Sequence, residues 1–166
     1  REVRLDQLVG DEGAAPYQRP PLSKDYLAGE RTADSILIRP AAAYASHGID
    51  LLTGRRVLSI DRTAKMVALE DGQQLNYQKL ALCTGARARP ASIRGVGSTG
   101  VFYLRTLADV DGIRANISPG KSAVIIGGGY IGLEAAAVLR GLGMAVTLIE
   151  LEARVLSRVC ASEVST

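Results

Sequence analysis

The stretch KSAVIIGGGYIGLEAAAVLRGLGMAVTLIE, residues 121–150, decides the fold. Lys121 to Ile126 is a β-rich run, Gly127-x-Gly129-x-x-Gly132 follows without a gap, and an Ala/Leu-rich helix is predicted over 133–142. Gly141-Leu142-Gly143 then turns the chain into a second strand, 145–149, that ends in Glu150. Strand, glycine turn, helix and strand in this order make a βαβ unit of the Rossmann-like, nucleotide-binding kind. Gly127 makes the tight turn, Gly129 lets backbone approach a diphosphate, and Gly132 lets helix and strand pack closely. Gly128, Tyr130 and Ile131 complete the turn, where free N–H groups and the positive end of the helix dipole favour an anion. Glu150 falls eighteen residues after Gly132, close to the spacing of about 20 at which a carboxylate takes a ribose 2′-hydroxyl. A carboxylate there repels a 2′-phosphate, so NADH is expected over NADPH, a preference that Arg154 tempers. Glu134 is either a helix-start charge or a contact on the nicotinamide side.

Upstream of this unit the pattern changes. Thr106 with Asp109 three residues on predicts a capped helix running to about Ile117, and Pro119-Gly120 turns the chain into the strand at 121. Residues 90–100 are expected as loop. Lys79-Leu80-Ala81-Leu82-Cys83 is apolar enough for a strand buried on both faces, stopping at Thr84-Gly85. Val57-Leu58-Ser59-Ile60, Met66-Val67-Ala68-Leu69 and Gln74-Leu75-Asn76, the last two joined by an Asp71-Gly72 turn, predict a small antiparallel β-meander. Two short helices precede it, one from Pro40 to His47 with Gly48 as its stop, one capped by Ser23 and ended by Gly29. Residues 3–9 read as a strand running into Gly10-Asp11-Glu12, and the Pro-rich run 16–21 as loop.

Composition narrows the function classes. The 166 residues carry 20 basic and 17 acidic groups, a net charge of +3, interspersed rather than gathered in a basic block, so no nucleic-acid partner is indicated. The apolar runs are short and broken by Gly or charge, which argues against a membrane span. The start, Arg1-Glu2-Val3, has neither signal-peptide architecture nor an initiator Met, and reads as a point inside a longer protein. Cys83 and Cys160 are too few and too far apart for a disulfide framework or a zinc site, which suits a reducing cytoplasm. His47 is the only histidine and no Ser-His-Asp or Cys-His set exists, so no catalytic side chain and no metal ligand are expected.

The run Gly10-Asp11-Glu12 followed by Pro16-Tyr17-Gln18-Arg19-Pro20-Pro21-Leu22-Ser23-Lys24 exceeds what a generic loop requires. Together with Leu82-Cys83-Thr84-Gly85-Ala86-Arg87-Ala88-Arg89-Pro90, Phe102-Tyr103-Leu104-Arg105-Thr106 and the Gly127 motif, it resembles the FAD-dependent ferredoxin reductases of bacterial oxygenase systems. These are the putidaredoxin reductase and rubredoxin reductase group of the pyridine nucleotide-disulfide oxidoreductase superfamily. The resemblance implies an α/β fold of Rossmann-like three-layer units with the small meander, as a fragment of a flavoprotein with two dinucleotide-binding domains. Residues 1–108 would be a partial FAD-binding domain lacking its first βα unit, and 109–166 the first βαβ portion of an NAD(P)-binding domain.

By the same resemblance, Asp11 or Glu12 takes the adenosine ribose of FAD, Arg19 and Lys24 lie along the flavin and pyrophosphate, and Val57 touches the adenine end. Thr84-Gly85 approaches FAD by backbone and Arg105 sits at its edge, while NADH docks on the Gly127 unit. The flavin then passes electrons singly to a [2Fe–2S] ferredoxin or a rubredoxin. Cys83 departs from the usual Ala and is expected as buried packing. Residues 13–30 hold no cysteine, which sets aside the disulfide reductases. Two other readings stand beside this one: a non-catalytic nucleotide-binding fragment of such an enzyme, and a flavoprotein of the apoptosis-inducing-factor kind.

Overall fold

The structure, a computed structural model, describes residues 6–165. They form an α/β chain that divides into two compact units. One takes the described residues up to Gln18 with Ile36–Ala86, the other Arg19–Ser35 with the residues from Arg87 onward.

In the first unit, β1 (Asp6–Val9) pairs in parallel with β2 (Ile49–Leu52), Asp6 opposite Ile49 and Val9 opposite Leu52. The part of the expected first strand at 3–5 lies outside the described residues. β2 was not foreseen, because Ile49-Asp50-Leu51-Leu52 is too short to show a period and becomes a strand by finding β1. Before it lies α2, Ala41–Ser46, in this unit, with Pro40 at its N-cap and Gly48 leaving it at φ +71°. The meander is formed as expected by β3 (Val57–Asp61), β4 (Met66–Leu69) and β5 (Gln74–Asn76), antiparallel in that order. The buried residues of the unit are Tyr17, Ile36, Tyr44, Val67 and Leu69.

The strand expected at 79–83 does not form. Leu80 and Leu82 are 41% and 67% exposed, and no described strand pairs with them. A strand buried on both faces exists only between neighbouring strands and covering layers, and an apolar run by itself supplies neither. Cys83, expected as packing, is consequently an exposed free thiol.

The second unit begins with a 3-10 turn, Pro20–Ser23, and α1, Asp25–Ala28, which Gly29 ends in the left-handed conformation. Ser23 is not the cap of α1. Lys24 occupies that position without a side-chain bond, because the Ser23 hydroxyl is engaged elsewhere. α3, Leu107–Arg114, carries the expected reciprocal cap, with Asp109 N–H on Thr106 Oγ1 at 3.2 Å and Thr106 N–H on Asp109 Oδ2 at 2.8 Å. It stops short of Ile117, where the Asn116 side chain takes the Gly112 carbonyl in competition with backbone.

The βαβ unit is present in full: β6 (Ser122–Ile126), α4 (Tyr130–Gly141) and β7 (Ala145–Ile149), with the strands parallel and Ser122 opposite Ala145. α4 begins three residues before the predicted Leu133, since extended Gly129 serves as its N-cap and the motif itself forms the first turn. α4 packs on both strands and on α1, while α1 also meets α3. Leu22, Tyr26, Leu27, Leu107, Val110, Ala135, Leu139 and Met144 form the buried core. Among the described residues no helix is long and apolar enough to cross a membrane.

Candidate nucleotide-binding site

Three glycines of the turn meet three different demands. Gly127 has φ +111°, a conformation that a side chain resists, and its N–H holds Ile149 O at 2.8 Å. At Gly132 an added Cβ would run into the Gly127 carbonyl oxygen and come within 3.4 Å of Ile125 Cγ2, so helix and strand could not stay in contact. At Gly129 an added Cβ would meet no protein atom within 4 Å. The need for glycine at this third position is therefore not set by the described protein atoms. It fits a space that a ligand's backbone-hugging group would fill.

α4 points its N-terminus at that space. It has no side-chain cap and no acidic residue in its first turn, so no side chain of the helix itself satisfies its leading N–H groups. Tyr130 and Ile131, the first two helical residues, are 56% and 50% exposed. Such an end suits a diphosphate.

Glu150, at the end of β7, is held by backbone alone. Oε1 accepts from Leu151 N–H at 2.8 Å and Glu152 N–H at 3.0 Å, and Oε2 accepts from Gly128 N–H. These donors, the Glu152 N–H first and the Gly128 N–H next, keep its carboxyl below the usual range. The acid is thus ionised and oriented at the glycine turn, where a ribose attached to the diphosphate would lie. Arg154 is turned into its own loop, donating to Ser157 O at 3.2 Å and to the Ser165 hydroxyl.

Glu134 lies near the start of α4. Its carboxylate accepts from the Ser23 hydroxyl at 2.5 Å and pairs with Lys24 Nζ at 3.0 Å. The Ser23 bond first, with help from Lys24, lowers its pKa against the opposing effect of burial. Ser23 was missed as a site residue, because nothing in the sequence links positions 111 residues apart. Arg19 Nη1 donates to Arg105 O at 2.7 Å, so these two expected residues do meet within the second unit.

The first unit carries the others. Asp11 and Glu12 follow β1, where the turn after β2 pins them: Gly10 N–H holds Leu52 O at 3.0 Å and Gly54 N–H holds Glu12 O at 2.8 Å. Tyr17, buried and not among the expected site residues, donates its hydroxyl to Glu12 Oε2. Val57 opens β3 and is 39% exposed; Thr84 and Gly85 lie in exposed chain, Gly85 at φ +64°.

Known proteins share this fold. Residues 4–166 match the family described as pyridine nucleotide-disulphide oxidoreductase. The chain is 48% identical over 162 residues to putidaredoxin reductase CamA of Pseudomonas putida, covering 96% of this chain and 38% of that protein. It is 46% identical over 158 residues to the probable ferredoxin reductase CtmF of Castellaniella defragrans, covering 95% of this chain and 39% of that protein. The crystal structure of a covalent putidaredoxin reductase–putidaredoxin complex superposes with a TM-score of 0.88 at 46% identity, over 95% of this chain and 39% of that one. The chain thus spans about two-fifths of the length of these relatives. Relatives of this kind are named as ferredoxin or rubredoxin reductases of NAD(P)(+) or NAD(+). With its parallel βαβ unit, its antiparallel meander and a match along nearly its whole length, the chain belongs to the pyridine nucleotide-disulphide oxidoreductase family.

Proposed function

We propose that this chain is the nucleotide-binding part of an FAD-dependent reductase that draws electrons from NADH and passes them to a [2Fe–2S] ferredoxin or a rubredoxin. The observation that carries the reading is the uncapped N-terminus of α4 beside open space at Gly129, with Glu150 fixed and ionised next to it. The residues 127–132 hold the diphosphate of NADH and Glu150 its adenosine ribose. NADH is preferred to NADPH because a fixed carboxylate repels a 2′-phosphate and Arg154 is occupied in its own loop.

Asp11 or Glu12 binds the FAD ribose, Val57 the adenine end and Thr84-Gly85 the cofactor by backbone. Arg19 and Lys24 lie along the flavin and pyrophosphate, and Arg105 sits at the cofactor's edge. Bound FAD supplies the exchange between a two-electron hydride and single electrons. The chain binds, orients and sets charge; Lys24, with Glu134 as counter-ion, keeps a cation available to a reduced flavin's negative charge. Residues 1–108 then belong to the FAD-binding part and 109–166 to the NAD-binding part. The putidaredoxin and ferredoxin reductases it resembles support the choice of acceptor, and two free thiols suit the cytoplasm.

Purifying the 166-residue chain and titrating it with NADH tests the proposal. A yellow protein with flavin absorbance that also binds NADH supports the whole reading. A colourless protein that binds NADH reduces the chain to a nucleotide module, and failure to bind NADH overturns the assignment of residues 127–132.

A further inference from the structure

After Glu150 the chain loops back onto the glycine turn, through residues whose sequence carries no motif. Leu156 donates its N–H to Gly128 O at 2.9 Å. It does so in a left-handed backbone conformation, φ 55°, which a leucine adopts only when its surroundings impose it. Val155 lies against the same glycine: a Cβ added at Gly128 would come within 2.9 Å of Val155 Cγ1 and 3.0 Å of Glu150 Oε2. Gly128 is buried, unlike Gly129, and its N–H is one of three donors that hold the Glu150 carboxylate. Gly128 is therefore gripped by the loop at its carbonyl and holds the acid at its N–H.

We infer that Val155 and Leu156 are positioning residues for nucleotide recognition: they clamp Gly128 so that its N–H keeps Glu150 aimed at the ribose. This rests on the reading of residues 127–132 and Glu150 as the NADH site. Val155 and Leu156 thereby bear on the choice between NADH and NADPH through Gly128. A carboxylate free to swing away would lose its ribose bond and also its repulsion of a 2′-phosphate, so both affinities move, in opposite directions. A loop that only stabilises the fold would weaken both together.

Titrating the chain and its variants with NADH and with NADPH, by nicotinamide fluorescence in a protein that has no tryptophan, separates these cases. Gly128→Ala is expected to lower the NADH-to-NADPH affinity ratio by about tenfold, the scale of one hydrogen bond to a charged group. Val155→Ala, which removes only two methyl groups and serves as the variant that keeps its fold, should lower the ratio severalfold. In the double variant the space left by Val155 admits the new Cβ, so the ratio should recover above that of Gly128→Ala alone. An unchanged ratio in Val155→Ala, or additive losses in the double variant, overturns the clamp while leaving the NADH site standing. If the unaltered chain binds no NADH, the site reading fails and the clamp with it.

Discussion

At Gly129 a methyl group would displace no protein atom, whereas at Gly132 it would strike backbone. The two positions therefore separate binding from folding. Gly129→Ala is expected to leave the thermal midpoint near that of the unaltered chain and to weaken NADH binding at least about tenfold, near 1.4 kcal/mol. Calorimetric titration beside a melting curve checks both halves, and unchanged affinity would remove residue 129 from the site. Glu150→Ala should leave NADH weaker and NADPH no weaker, narrowing the ratio of the two. A ratio that does not move makes Glu150 a strand-end charge. At this scale the glycine spacing and the acid at its end were readable from the chain, since both are demands of local sterics and charge. Tyr17 on Glu12, Ser23 on Glu134 and Val155 on Gly128 were not, because each pairing is made by the fold.

α4 joins the nucleotide turn to the rest of its unit, and two of its residues report on that joint. Gly132→Ala should cost about 1–3 kcal/mol as an overpacked contact, seen as a lowered thermal midpoint without any nucleotide present. Glu134 bonds Ser23 and Lys24 on the 3-10 turn and at the start of α1, and its pKa is lowered from the ordinary 4.5. A carboxyl lowered on folding adds stability that is full above its unfolded value and is lost as pH falls through the folded one. Glu134→Gln should therefore cost stability at neutral pH and lose that disadvantage progressively below about pH 4.5, measured as the gap between the two melting curves. A gap that persists in acid would show that the carboxylate charge does not hold α4 to this turn. The elements that were legible, α3 with its reciprocal cap and β3–β5 with their Asp71-Gly72 turn, are those whose boundaries are set by residues within them. β2 and the failed strand at 79–83 show the opposite case, where pairing with a distant partner, or its lack, decides.

Over the whole molecule, the chain makes its last passage from one compact unit to the other at Ala86–Arg87, inside a largely exposed stretch from 79 to 94 without helix or strand. Brief trypsin treatment should cut there first, after Lys79, Arg87 or Arg94 and not after Arg89, which Pro90 follows. First cuts inside β6 to β7 instead would contradict the compactness of the second unit. The sequence by itself determined the order of strand, glycine turn, helix and acid, and with it the family, because those features answer short-range requirements of backbone and dipole. Only the tertiary structure decided that Arg19–Ser35 joins the second unit, that Lys24 pairs with Glu134, and that the loop after Glu150 grips Gly128. Those contacts join residues up to about a hundred positions apart, and no local rule of composition or period reaches that far.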